Sequence, residues 1–116
     1  MNWKRSWIVL KTDKVFAMLG MATKAGKVVS GEFATEKAVK SSHAYLVIVA
    51  SDASDNTKKM FTNMCNFYKV PLRIYGNKES LAHAIGKEMR ASVAVTEQGF
   101  SDVIIKHMDC GDSVEV

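Results

Sequence analysis

The chain predicts a three-layer α/β/α sandwich in which one small mixed sheet lies between helices. Three observations carry this. Short β-branched runs alternate with stretches of helical periodicity. The run Ala44-Tyr45-Leu46-Val47-Ile48-Val49-Ala50 is apolar without alternation, as in a strand covered on both faces. Finally, 116 residues that are 47% hydrophobic and 24% charged suffice for one compact domain and not for two.

The elements follow in order. Thr12 or Asp13 is the expected cap of a first helix with Val15, Phe16, Leu19 and Ala22 on one face and Gly26 as its stop. Lys27-Val28-Val29 reads as a short strand. Ser30-Gly31 opens a second helix whose Ala34, Ala38 and Val39 point inward. After the apolar strand, residues 51–55 are polar and rich in caps. Met60, Phe61, Met64, Phe67 and Tyr68 then form the expected core stripe of a third helix ended by Pro71. Residues 72–75 read as a strand. Asn77 caps a short helix through Leu81, Ala84 and Ile85, which Gly86 stops. Residues 92–95 form the last strand. Thr96 begins a final helix in which Phe100, Val103, Ile104 and Met108 share a face. Residues 1–11 read as an extension, 12–108 as the domain and 109–116 as an acidic tail.

Several function classes are excluded. The longest apolar run is far short of the ~20 residues of a membrane helix, and Trp7 to Leu10 is too short for a signal-peptide core. A cytosolic protein with no membrane association is expected. Cys65 and Cys110 make neither a disulfide framework nor a Cys-x-x-Cys pair. Cys65 falls within an apolar stripe, a poor place for a reactive thiolate. His43, His83 and His107 lie in separate elements without metal-ligand spacing, and no glycine-rich phosphate loop is present. The expectation is no enzyme, no cofactor, no metal and no small-molecule substrate.

Charge points to a polyanion. Outside the acidic tail, 16 bases face nine acids, a net of +7 on residues 1–108. Two segments could meet it. At the start of the second helix, Lys27, Gly31, Glu32, Phe33 and Lys37 surround a helix N-terminus, whose N–H groups favour phosphate and where Gly31 permits close approach. Lys37 lies within reach of a phosphate or a guanine edge. The ordinary reading is a capped helix with Glu32 complementing its dipole. After the fourth helix, Lys87, Met89 and Arg90 set an apolar side chain between two bases, suited to stacking on unpaired nucleotides. The competing reading folds Met89 back onto the core.

The order of these pieces resembles the kink-turn RNA-binding family of ribosomal proteins (the L7Ae/L30e superfamily), particularly its small bacterial members. The resemblance runs from about Lys14 to Met108. It rests on Leu19-Gly20-Met21-Ala22-Thr23-Lys24-Ala25-Gly26-Lys27, Val28-Val29-Ser30-Gly31-Glu32, Lys37-Ala38-Val39, Leu46-Val47-Ile48-Val49-Ala50-Ser51-Asp52-Ala53-Ser54, Asn56-Thr57-Lys58-Lys59, Tyr68-Lys69-Val70-Pro71, Leu81-Ala82-His83-Ala84-Ile85-Gly86-Lys87 and Val93-Ala94-Val95-Thr96. It implies an α/β/α sandwich that binds a sharply bent RNA helix with sheared G·A pairs. The family signature Gly-x-Asn-Glu-x-x-Lys is met by Gly31 and Lys37, which the resemblance assigns to close RNA approach and to a guanine or phosphate contact. Phe33 and Ala34 stand where the family has Asn and Glu. Backbone groups, Glu32 or stacking on Phe33 are then the substitutes for those side chains. The family's apolar loop before the last strand corresponds to residues 87–91, here shorter and more basic. The expected function is non-catalytic binding of kink-turn or related structured RNA, by a ribosome-associated monomer. The alternative is the same fold without kink-turn specificity, acting on RNA generally or on protein.

Overall fold

A computed structural model describes residues 14–110. The expected cap at Thr12 or Asp13, the extension 1–11 and tail residues 111–116 lie outside these. The order is α1 (Lys14–Lys24), β1 (Val28–Ser30), α2 (Glu32–Lys40), β2 (Leu46–Val49), α3 (Asp55–Tyr68), β3 (Leu72–Ile74), α4 (Lys78–Ile85), β4 (Ser92–Val95) and α5 (Gln98–Cys110). The sheet has the order β1-β4-β2-β3. β4 runs antiparallel to both neighbours, pairing Ser30 with Val93 and Val49 with Ser92, while β2 and β3 are parallel. The sheet is therefore mixed. Helix α1 packs between α4 and α5, and α2 packs on α3, so helices form a layer on each side.

The central pair of strands explains the apolar run. Every residue of β2 and β4 is buried, with Leu46, Val47, Ile48 and Val49 fully so. At about 1.5–3 kcal/mol for each large apolar side chain removed from water, these strands are the main stabilising seam. Phe61, Leu19, Leu81 and Ile104 close on it from the helices.

Local chemistry sets the boundaries. Gly26 and Gly86 end their helices at φ 75° and 71°, the left-handed geometry that a Cβ disfavours. Lys69 does the same for α3 at φ 61°, a stop that its residue type does not announce. Asn77 caps α4 in a reciprocal pair with Ser80.

Five expectations change. Phe67 and Tyr68 are exposed, at 77% and 38%, instead of belonging to the core. Phe67 comes six residues after Phe61, about 120° round the helix from it at 100° per residue, so it faces away from the sheet, and Tyr68 stands in the last turn beside the groove with Pro71. Ala34 is half-exposed, and Thr35 occupies the inward position beside Ala38 and Val39. Val103 lies at the margin of α5, whose buried stripe is centred on Ile104. Thr96 continues the sheet by donating its N–H to Lys27 O at 2.8 Å, and α5 begins at Gln98. Glu97 Oε1 accepts from Phe100 N at 2.9 Å in the capping role. Finally, α5 reaches two residues into the expected acidic tail. Asp109 there accepts two bonds from Arg73, Nε to Oδ1 at 3.0 Å and Nη2 to Oδ2 at 2.8 Å.

Candidate nucleic-acid interface

Three strand-to-helix turns arrive at one end of the sheet. β1, β2 and β3 point the same way, so α2, α3 and α4 all begin where these strands finish. Their dipoles collect partial positive charge there. Two of the three N-termini are closed by side chains. Ser54 Oγ accepts from Thr57 N at 3.1 Å on α3. On α4, Asn77 Oδ1 accepts from Ser80 N and Asp52 Oδ1 from Lys78 N, both at 2.8 Å. The third has Gly31 as its cap and no side-chain bond. Its first-turn N–H groups receive no capping bond from a side chain of the described residues.

Gly31 is held in a conformation that suits glycine almost alone. Its φ and ψ are 94° and 158°, while its N–H donates to Ser92 O at 2.9 Å and its carbonyl accepts from Thr35 N at 3.0 Å. A Cβ built at this position would meet nothing within 4 Å, so the space before the helix is open. Glu32, Phe33 and Lys37 are exposed around it, Phe33 at 80%. Phe33 and Lys37 are four residues apart and share one helix face, forming an open groove with Glu36, Lys40 and Ser41. Lys40 Nζ donates to Glu36 Oε2 at 2.7 Å. That bond and the carboxylate charge hold the Lys40 ammonium above its ordinary pKa. Glu36 is thereby neutralised beside Lys37, which makes no ion pair with the described residues.

The second segment meets the first. Arg90 Nε donates to Ser30 Oγ at 3.1 Å, directly before Gly31, and Nη1 donates to the Glu88 carbonyl. Arg90 N donates to Lys78 O at 3.3 Å, Lys87 N to Ala82 O at 2.8 Å, and Ala50 N to Ala91 O at 2.9 Å. The loop between α4 and β4 is thus tied at both ends and across to β1. Within it Met89 stands at φ 41°, a conformation costly for a side chain of its size, and is 61% exposed. Met89 therefore does not fold back onto the core.

The fold brings Gly31, Glu32, Phe33, Lys37, Met89 and Arg90 to one end of the sheet, with Lys87 exposed in the same loop. Arg90 holds the loop's shape through three carbonyl and hydroxyl acceptors. Lys27 lies apart. It precedes β1, bonded to Thr96 at the opposite end of the sheet, about 13 Å from Gly31 at 3.3 Å per residue. The sequence reading missed Ser30, the hydroxyl that joins loop to strand, and Lys40, whose four-residue spacing from Glu36 was its only signal. No group of three or more His, Cys, Asp or Glu side chains that could hold a metal ion occurs among the described residues. Cys65 is buried, which pushes its thiol up to about 11 and keeps it protonated near neutral pH.

Comparison with known proteins bears on this geometry. Residues 13–105 match the family described as the ribosomal protein L7Ae/L30e/S12e/Gadd45 family. The chain is 46% identical over 94 residues to the RNA-binding protein YlxQ of Bacillus subtilis, covering 81% of this chain and 94% of that protein. Among solved structures, a protein of unknown function from Bacillus halodurans superimposes with a TM-score of 0.80 at 36% identity, covering 83% of this chain and 97% of its own. The Giardia lamblia 15.5 kD RNA-binding protein superimposes with a TM-score of 0.70 over 98% of this chain and 92% of its own; at 18% identity, that likeness concerns the fold.

Proposed function

The chain belongs to the ribosomal protein L7Ae/L30e/S12e/Gadd45 family, and from that premise we propose that it is a non-catalytic protein that binds structured RNA at the end of the sheet where α2 begins. The observation that carries this reading is the N-terminus of α2, opened by Gly31 and closed by no side chain, beside the exposed Met89. Such an end supplies N–H donors to a phosphate or a base edge. Lys37 adds charge and a donor, and Met89 and Phe33 supply apolar surfaces for unstacked bases. The relative's name, RNA-binding protein YlxQ, supports the same conclusion.

The RNA proposed is a kink turn or a similarly bent element, bound in the cytoplasm by a monomer associated with ribosomes. Gly31 and Lys37 occupy the signature positions that favour it. A second reading, binding of structured RNA without kink-turn specificity, is favoured by Phe33 and Ala34, which cannot give the hydrogen bonds of an Asn-Glu pair. One experiment separates them. Dissociation constants are measured for a kink turn and for the same RNA with its G·A pairs replaced by Watson–Crick pairs. Discrimination of tenfold or more supports kink-turn recognition. Equal, tight binding supports the general reading, and failure to bind either RNA overturns both.

A further inference from the structure

The apolar and basic surface does not stop at the start of α2. The groove beside Phe33 runs along the helix to Lys40 and Ser41, about 10 Å at 1.5 Å per residue. The next residue, Ser42, opens a second groove at the ends of α2 and α3, lined by Tyr45, Tyr68, Lys69 and Pro71 and on α5 by Asp102 and its neighbours. Helices α2 and α3 pack against each other, which sets the Tyr68 end of α3 next to the Lys40 end of α2 across the second groove. Beside Tyr68 stands Phe67, its ring centroid 4.9 Å away and the two planes at 77°. Phe67 is nearly as exposed as Phe33. We propose that this strip, from Phe33 past Lys37 and Lys40 to Tyr68 and Phe67, binds a single-stranded segment of RNA that flanks the bent element held at Gly31.

The occupant follows from composition and continuity. Aromatic faces interleaved with lysines are the platform on which successive bases stack while the backbone meets positive charge. Glu36 is paired to Lys40, so the acid on this face is already compensated. Lys37 and Lys69 make no ion pair with the described residues. Asp102 of α5 lines the second groove as well, and across the two grooves it and the paired Glu36 stand against Lys37, Lys40 and Lys69. The core of a protein–protein interface is depleted in lysine, which this strip is not. The strip also begins on the same residues, Phe33 and Lys37, that the RNA reading uses, and the inference rests on that reading.

The test uses the full-length protein at one salt concentration. Its probes are a kink-turn duplex and the same duplex carrying about eight unpaired nucleotides on either end. At least one extension should tighten binding by about five- to tenfold, the lower range for a single stacked base. The Phe67→Ala/Tyr68→Ala double variant should lose that gain and bind the unextended duplex like wild type, which also shows that it is folded. Tyr68→Phe should keep the gain, and Lys69→Gln should lose part of it. The inference is overturned if neither extension tightens binding, or if the gain survives in the double variant. It is also overturned if the double variant changes only the protein's self-association in sedimentation, since the strip would then be a protein contact. Wild-type protein that fails to bind even the unextended duplex refutes the RNA reading itself, a distinct result.

Discussion

At the scale of single residues, Gly31 and Lys37 carry the most consequence. Gly31 combines φ 94° with ψ 158° and open space around its missing Cβ. Gly31→Ala should therefore destabilise the protein through backbone strain alone, by about 1–3 kcal/mol. Urea unfolding monitored by circular dichroism measures this, and an unchanged midpoint would contradict it. Lys37 is exposed on the face of α2 that Phe33 shares, with no ion pair to a described residue. Lys37→Ala should cost about 1–3 kcal/mol on a kink turn, the scale of one specific base contact. It should cost much less on the RNA lacking G·A pairs. Lys106, exposed on the final helix, is the control, and its loss should weaken both RNAs slightly and equally. Equal losses on both RNAs for Lys37→Ala would remove its role in specific recognition.

At the scale of elements, the end of α5 is fastened across the sheet's edge strand. Arg73 on β3 binds both carboxylate oxygens of Asp109, a planar two-point pairing. The Arg73 hydrogen bond and its charge hold the Asp109 carboxyl below its ordinary value of 3.8. A depressed folded pKa gives stability that is present above the unfolded value and is lost as pH falls through the folded one. Asp109→Asn should thus lower the melting temperature at pH 7 by a small amount, because both side chains are solvated. The difference from wild type should disappear as the pH is lowered below the ordinary value of 3.8 and through the depressed folded one. A difference independent of pH would show that packing, and not the ion pair, is what the substitution removes. The third helix shows the opposite case, an element whose apolar side chains are spread over two faces. Phe61 and Cys65 share the face that enters the core, while Phe67, about 120° round the helix, stands in solvent and Tyr68 in the last turn is partly exposed.

At the scale of the whole molecule, positive charge and three converging helix N-termini act together. The net charge of +4 includes an acidic C-terminal segment, so the domain itself is more basic than the total suggests. RNA binding through roughly three to five phosphate contacts should weaken with salt, with a log–log slope of about −2 to −5. Titrations at several KCl concentrations measure the slope. A flat response would point to a protein partner instead.

Much of the fold was legible in the residues because it depends on local rules. The uninterrupted apolar run announced a doubly covered strand, and Gly26, Gly86 and Asn77 marked helix ends through their own backbone and side-chain chemistry. Gly31 and Lys37 were readable as a candidate site by their spacing at a helix start. What the sequence by itself determined is thus the alternation of elements, the central seam of the core and the charge of the surface. The tertiary structure decided which of these features meet. It joined the loop of Met89 to the start of α2 through Arg90 and Ser30, 60 positions apart, and moved Lys27 to the other end of the sheet. It also chose which face of α3 the sheet covers, that of Phe61 and Cys65, and so left Phe67 in solvent. Periodicity says which side chains share a face, but only the packed sheet sets which face is covered.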